Sequence, residues 1–462
     1  MRYHLFHIQN AMRRVCLKPA LAGSALLLAT ALPLPGTISF AQEIKNPGQV
    51  LEGILSSGTE RLAQGAKAIP TGAPTANAKS TSGGKKRGKS AAPKLESKTK
   101  SAKGPEIPPR AAYTAGEAAL AIIPDIPNAR FWGDSTKDFQ AALPTLKGPW
   151  LALSSGGADG AYGAGVLIGL SDAGKRPAFS QVSGVSTGAL MAPFVFAGQK
   201  YDPQLRAAYT TIFAGDVFEL GAKGGESFFD TWPLRDLIAK QVTPELLADV
   251  AAEHAKGRRL IVVTTNVDSE RPVAWNMGAI ATAGGEKALK LFRQVLLAAG
   301  SIPGAFPPVL IDVEADGKRF TEMHADGGMC AQFYVAPEEL LAPASKYKLP
   351  ADGLYVVVNT QLTPDFGVTE RSLLSIMIRG VSVIVKTLTR VMVQQAYLAA
   401  KQSGVTFQLA TIPTTFNEPA RGAFDTEYMK ALFNVGYDQG KNGTAFVSEP
   451  PAAWVRPTPA SR

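Results

Sequence analysis

Cysteine is almost absent. The 462 residues contain two, Cys16 and Cys330. Cys16 precedes the first apolar run, so the folded part keeps one thiol and has no intramolecular disulfide. A hydrophobic core has to hold it together. Histidine is nearly as scarce: His4 and His7 sit at the N-terminal end, leaving His254 and His324 for the folded part. No His/Cys/Asp cluster has ligand spacing, so no metal is implied and no cofactor is expected. A membrane-spanning run is lacking too. PALAGSALLLATALPLPG (Pro19 to Gly36) is too short and too broken by Pro and Gly to span comfortably.

That stretch reads instead as the core of a signal peptide. Arg2, Arg13, Arg14 and Lys18 give it a basic start, and SFAQE places Ser39 and Ala41 where a signal peptidase reads small residues. Residues 1–41 are expected to be removed after Ala41, with an uncleaved anchor as the alternative. RRVCLK also resembles a twin-arginine export signal. Cys16 lies before the apolar core, not after it, which excludes lipoprotein acylation there. The expected location is periplasmic, outer-membrane associated or secreted.

The net charge of +10 suggests nucleic acid until it is located. Residues 61–110 hold 12 Lys/Arg against Glu96 and Glu106, and residues 111–462 come to −2. The basic segment is rich in Gly, Ser, Ala, Pro and Lys and cannot bury enough apolar surface to fold. Residues 42–110 therefore read as a disordered basic linker, followed by a lead-in (111–147), a catalytic core (148–345) and a C-terminal α/β extension (346–462). No aromatic residue interleaves with the lysines, which excludes a nucleic-acid platform. Loose association with an anionic membrane or cell wall and a solvated linker without partner remain the two readings.

Within the folded part, WLALSSGG, FSQVSG, RRLIVVTTNVD and GLYVVVNTQL are buried strands, and VTFQLATIP is another. GAYGAGVLIGLSDAG, GALMAPFVFAGQ, EKALKLFRQVLLAAG and TEYMKALFNVGYDQG are helices, as is the long LLSIMIRGVSVIVKTLTRVMVQQAYLAA, whose Arg379, Lys386 and Arg390 argue against a membrane span. Strands alternating with helices predict a three-layer α/β fold with a mostly parallel sheet between helical layers.

Three stretches carry chemistry. GVSTG (Gly184 to Gly188) matches G-x-S-x-G between a strand and a helix. A sharp turn there, a nucleophile elbow, presents the Ser186 hydroxyl, and small residues at Gly184 and Gly188 let the backbone pass. LALSSGGADGAYGAG takes a strand into a glycine loop whose backbone N–H groups can hold negative charge. MHADGG ends a strand at Asp326, followed by Gly327 and Gly328. A dinucleotide loop is disfavoured: Ser155 stands at the first glycine position, and FSQVSG lacks the acid that such a site needs on its next strand.

In this order the three stretches, with AAGSIPGAFPPV (Ala298 to Val309), resemble the patatin-like phospholipase family, here as an exported bacterial member. The resemblance runs from about Trp150 to Gly328. It implies a patatin-type fold and a lipid acyl hydrolase acting on lipid or phospholipid. It makes Ser186 the nucleophile and Asp326 the base of a Ser–Asp dyad, with Gly156 and Gly157 in the oxyanion hole. This chain departs from the family at Ser155, for glycine, and at Asp159, where Arg or Lys is usual. A carboxylate facing an oxyanion would oppose it, so Asp159 is expected to face away or to cap the following helix.

Two further readings stay open: a serine esterase with His324 as base, and a non-catalytic surface-binding protein. His324 lies two residues before Asp326 and on a strand shares its side, where it can tune Asp326 or simply be a satisfied polar group. Asn266 and Asp268, at a strand's carboxyl end, are candidates to line the pocket, or else turn caps. Cys330 reads as a small buried residue, and His254 as part of a solvated helix end.

Overall fold

A computed structural model describes residues 109–221 and 225–454. The expected signal peptide and nearly all of the basic linker lie outside the described residues. The chain divides into two units, 1–101 and 102–462, and everything below concerns the second.

A short helix α1 (Ala115–Leu120), strand β1 (Arg130–Trp132) and helix α2 (Thr136–Ala141) lead in. Then come β2 (Trp150–Leu153), α3 (Gly160–Asp172), β3 (Gln181–Val185), α4 (Thr187–Ala197) and α5 (Asp202–Thr210). A small hairpin of β4 (Glu219–Leu220) and β5 (Phe229–Asp230) is followed by α6 (Trp232–Gln241) and α7 (Pro244–Ala255). Next are β6 (Arg259–Asn266), β7 (Arg271–Asn276), α8 (Met277–Ala283), α9 (Gly285–Ala299), and the hairpin β8 (Val309–Ala315) with β9 (Lys318–Asp326). The chain closes with α10 (Glu338–Leu341), β10 (Gly353–Val358), α11 (Leu373–Ser403), β11 (Thr406–Thr411) and α12 (Thr426–Asn442).

The sheet has nine strands, ordered β1-β7-β6-β3-β2-β10-β11, with β9 on β6 and β8 on β9. The five strands from β6 to β11 run parallel. β7 and β9 are antiparallel to β6, and β1 to β7. Both faces are covered, and alternation along each strand says how. On β2, Leu151 and Leu153 join one core and Trp150 and Ala152 the other; on β10, Val357 points to the first and Val356 and Val358 to the second. Residues buried on both faces explain why these strands read as continuous apolar runs.

α3 lies directly against α12. A Cβ on Gly165 would come 2.2 Å from the Phe433 carbonyl oxygen, and one on Gly440 2.2 Å from that of Val166. Glycines on both helices permit this approach, which holds α3, and the glycine loop before it, in place.

The sequence reading omitted β7 and β8. RPVAWN and VLIDVEA each sit in an antiparallel pairing beyond the parallel pattern. His254 is not solvated as expected. It is half-buried against Gly278, its Nδ1 is enclosed without a hydrogen-bond partner, and burial beside Arg259 lowers its pKa.

Candidate active site

The register brings Ser186 and Asp326 together. β3 runs along one edge of β6 and ends where Val185 pairs Val263. β9 comes down the same edge from the opposite direction and ends where Asp326 pairs Thr264. The next residue of β3's chain is Ser186, so the two strand ends meet head to head, and the Ser186 hydroxyl is close enough to the Asp326 carboxylate to lower its pKa.

Ser186 occupies the turn between β3 and α4 with φ 55° and ψ −124°, a strained conformation for a residue with a Cβ. The turn closes because its flanks are bare: a Cβ on Gly188 would meet the Leu153 carbonyl oxygen at 2.4 Å. Tyr209 fixes the start of α4, its hydroxyl 2.8 Å from Thr187 Oγ1 and donating to the Thr187 carbonyl at 2.9 Å. Asp326 is buried, and Gly328 N–H donates to its Oδ1 at 2.7 Å. Burial pushes its pKa up to about 6; the nearby Ser186 hydroxyl and the Gly328 N–H only partly oppose this. The result is a desolvated carboxylate aimed at a hydroxyl.

The glycine loop lies beside this pair. Gly156, Gly157 and the short turn Gly157–Asp159 precede α3, where N–H groups at a helix start have no intrahelical acceptor. Asn359, at the end of β10, clamps the loop. It donates from its backbone N to Ser154 Oγ (2.8 Å) and from Nδ2 to the Ser154 carbonyl (3.0 Å), and its Oδ1 accepts from Gly163 N (3.1 Å). Its backbone approaches so closely that a Cβ on Gly156 would lie 2.1 Å from the Asn359 carbonyl oxygen. Ser155 uses its hydroxyl: it donates to Gln332, whose Nε2 donates to the Gly328 carbonyl at 2.7 Å. One glutamine thus ties the glycine loop to the Asp326 turn.

Neither Asn359 nor Gln332 was singled out from the sequence. Asn359 carried a signal, as the polar residue ending a buried parallel strand. Gln332 carried none.

Asp159 does not cap α3 with its side chain. Its Oδ1 accepts from the Tyr428 hydroxyl at 2.7 Å. Burial raises its pKa to about 6, against the lowering effect of that bond and of Lys386.

His324 is enclosed and turned to other partners. Trp275 Nε1 donates to Thr264 Oγ1 at 2.8 Å, Thr264 Oγ1 lies 2.9 Å from His324 Nδ1, and His324 Nε2 lies 3.1 Å from Glu322 Oε2. Thr264 accepts from Trp275, so its own proton points to Nδ1, and the imidazole proton sits on Nε2 toward Glu322. Burial lowers the His324 pKa, outweighing the pull of Glu322. Burial likewise pushes Glu322 up, but His324 and Arg130 together bring it below the ordinary value. Arg130 and Glu322 form a buried ion pair.

Asn266 and Asp268 do not line the cavity beside Ser186. Asn266 Oδ1 caps a turn through Ser269 N (3.0 Å), and Asp268 anchors the lead-in through Arg110 (2.6 Å) and Tyr113 (2.5 Å). Cys330 is half-buried and accepts from Thr265 Oγ1 at 3.4 Å, and burial raises its pKa. Among the described residues no cluster of His, Cys, Asp and Glu could hold a metal.

Below Ser186 and Gly157 opens an apolar cavity of about 100 Å³, walled by Leu190, Ala208, Leu237, Ile238, Val242 and Phe306 among others.

A mostly parallel sheet covered by helices on both faces, with a buried serine at a strand–helix turn, makes this unit a three-layer α/β protein. Residues 151–337 match the family model described as patatin-like phospholipase, and the chain carries a domain of that family there. The family's activity is hydrolysis of lipid acyl esters, and that is the coarse function of the domain. Among solved structures the chain is similar to VipD from Legionella pneumophila, at 14% identity and a TM-score of 0.29, covering 66% of this chain and 68% of that one. No curated protein matches the chain.

Proposed function

We propose that the protein is an acyl-ester hydrolase of lipids that works through a Ser186–Asp326 dyad and an acyl-enzyme. One observation carries the reading: Ser186, in the strand–helix turn, lines an apolar cavity and has the desolvated Asp326 carboxylate beside it, where the ends of β3 and β9 meet. Ser186 Oγ attacks the ester carbonyl carbon while its proton passes to Asp326. The carbonyl oxygen becomes an oxyanion beside the N–H groups around Gly156 and Gly157, where donors cost no reorganisation. Collapse breaks the bond to the alcohol, which leaves with the proton from Asp326. Water then attacks the acyl-enzyme, gives a proton to Asp326, and collapse releases the fatty acid and restores the Ser186 hydroxyl. The alkyl chain lies in the apolar cavity.

With both imidazole nitrogens committed to Thr264 and Glu322, His324 as the base is the weaker reading, and a tuning role acts on the fold of β9 and not on Asp326 itself. Export, and association with a membrane or cell wall through residues 42–110, are proposed on the sequence alone.

The test is fatty-acid release from short-chain esters, neutral lipids and phospholipids by the full chain. Ser186→Ala and Asp326→Asn should abolish release, whereas His324→Gln should retain it. Equal loss in a folded His324→Gln would transfer the role of base to His324. A folded wild type that releases nothing would point to a binding protein.

A further inference from the structure

The first half of α11 touches the fold only at its margin. From Leu373 to Leu388 no described side chain is buried; Thr389 and Val393 are the first that are. Ile376, Ile378, Val381, Val383 and Ile384 are exposed on several sides of the helix instead of forming one stripe. The loop that enters it is exposed as well, Phe366 at 94% and Val368 at 92%. Arg379 holds loop and helix together by donating to the Asp365 carbonyl. Exposed large apolar side chains gathered in one stretch of the chain mark a site of interaction.

Charge identifies the partner. Residues 366–388 carry Arg371, Arg379 and Lys386 against Glu370, and the rest of α11 adds Arg390 and Lys401 with no Asp or Glu. A second copy of this helix would bring like charges together. An anionic lipid surface accepts both features: the exposed apolar side chains enter the acyl region, and the net positive charge of the segment attracts phosphates. No described helix is long and apolar enough to cross a membrane, so the segment lies on the surface.

Position relates it to the site. Met392 Sδ accepts from Gln332 N at 3.3 Å, and Gln332 bridges Ser155 and Gly328. Lys386, within the exposed half, donates to the Thr363 carbonyl at 3.3 Å and acts on Asp159 at the end of the glycine loop.

We propose that Phe366 to Leu388 is a docking surface for anionic lipid bilayers, placed so that a docked protein meets lipid at the serine's own loop. The docking stands on the exposed surface; only its service to hydrolysis rests on the reading of Ser186 and Asp326 above.

The experiment uses the full chain carrying Ser186→Ala, so that vesicles stay intact, with Ile378→Trp added as a probe. Vesicles are phosphatidylcholine with and without phosphatidylglycerol, some bearing brominated acyl chains, at moderate salt; attachment through the basic linker alone leaves the indole out of reach of the bromines. The Ile378→Trp indole should shift to the blue and be quenched by the brominated chains when phosphatidylglycerol is present. In the Ser186 form, the triple variant Phe366→Ser, Ile378→Ser, Val383→Ser should lose about tenfold or more of vesicle hydrolysis. Its hydrolysis of a soluble short-chain ester should not change. These side chains are exposed, so the fold survives.

An unquenched probe overturns the proposal, whether the protein is bound or free. So does vesicle hydrolysis unaffected by the triple variant, or a dimer that the variant disperses without any vesicle binding. Quenching in a protein that hydrolyses no ester would retain the docking and discard the hydrolase.

Discussion

Replacing Asp326 by Asn should destroy activity and stabilise the protein, and the stabilisation should depend on pH in a defined direction. Burial raises the Asp326 pKa from 3.8 to about 6. At about 1.4 kcal/mol per pH unit this corresponds to about 3 kcal/mol. A carboxyl whose folded-state pKa lies above its unfolded value favours the fold in acid. That contribution is complete below the ordinary carboxylate value and is lost as pH rises through about 6. The amide never acquires the charge and loses nothing. It keeps an oxygen for Gly328 N–H but adds an N–H₂ in need of an acceptor, at a cost of about 1 kcal/mol. Urea unfolding should therefore find Asp326→Asn slightly weaker than wild type at pH 4 and about 2 kcal/mol stronger at pH 8. Asp159 also titrates near 6, but it is present in both proteins and cancels in the difference. A stability difference that does not change between the two pH values would refute the claim that Asp326 is a desolvated carboxylate.

For the wild type, kcat/KM for a neutral ester should fall as pH drops below about 6, where Asp326 becomes protonated and cannot accept a proton; a stopped assay from acid to neutral pH reads this. Gly156→Ala puts a Cβ 2.1 Å from the Asn359 carbonyl oxygen, so the loop must shift; kcat should drop about a hundredfold or more, with near-normal binding of a non-hydrolysable ester. Glu322→Gln removes the charge that pairs Arg130 and turns an N–H₂ toward a partner that can only donate; thermal or urea unfolding should show a loss of about 3 kcal/mol, larger than that for His324→Gln. Ala208→Phe fills the cavity wall; competition between ester substrates should show long acyl chains losing about tenfold or more against short ones.

What the sequence made legible is what the backbone specifies locally. β2, β3, β6 and β10 are buried on both faces, so their apolar runs stand out without a partner. The turn at Ser186 needs Gly184 and Gly188 within five residues, and the turn after Asp326 follows from two adjacent glycines. In each case the constraint and the residue it concerns are neighbours in the chain. β7, β8 and the position of β9 were not legible for the opposite reason. They are defined by antiparallel register against β6 and each other, and nothing within RPVAWN or VLIDVEA says which edge they join.

The supports of the site belong to this second kind. Gln332 matters because its side chain meets Ser155, 177 residues away. Asn359 matters because it meets Ser154, 205 residues away. Both face hydroxyls where the pattern of a glycine loop leads one to expect bare backbone. Ser155, which looks like a flaw in the motif, is therefore the point at which the loop is fastened to the Asp326 turn. Asp159, the other departure, is likewise engaged elsewhere: its carboxylate accepts from Tyr428 on α12, the helix packed on α3 through glycines. A charge that would oppose an oxyanion is in this way held by a hydroxyl and by burial. Substitutions that look damaging when a motif is matched letter by letter become contacts once their distant partners are known, and only the fold supplies those partners.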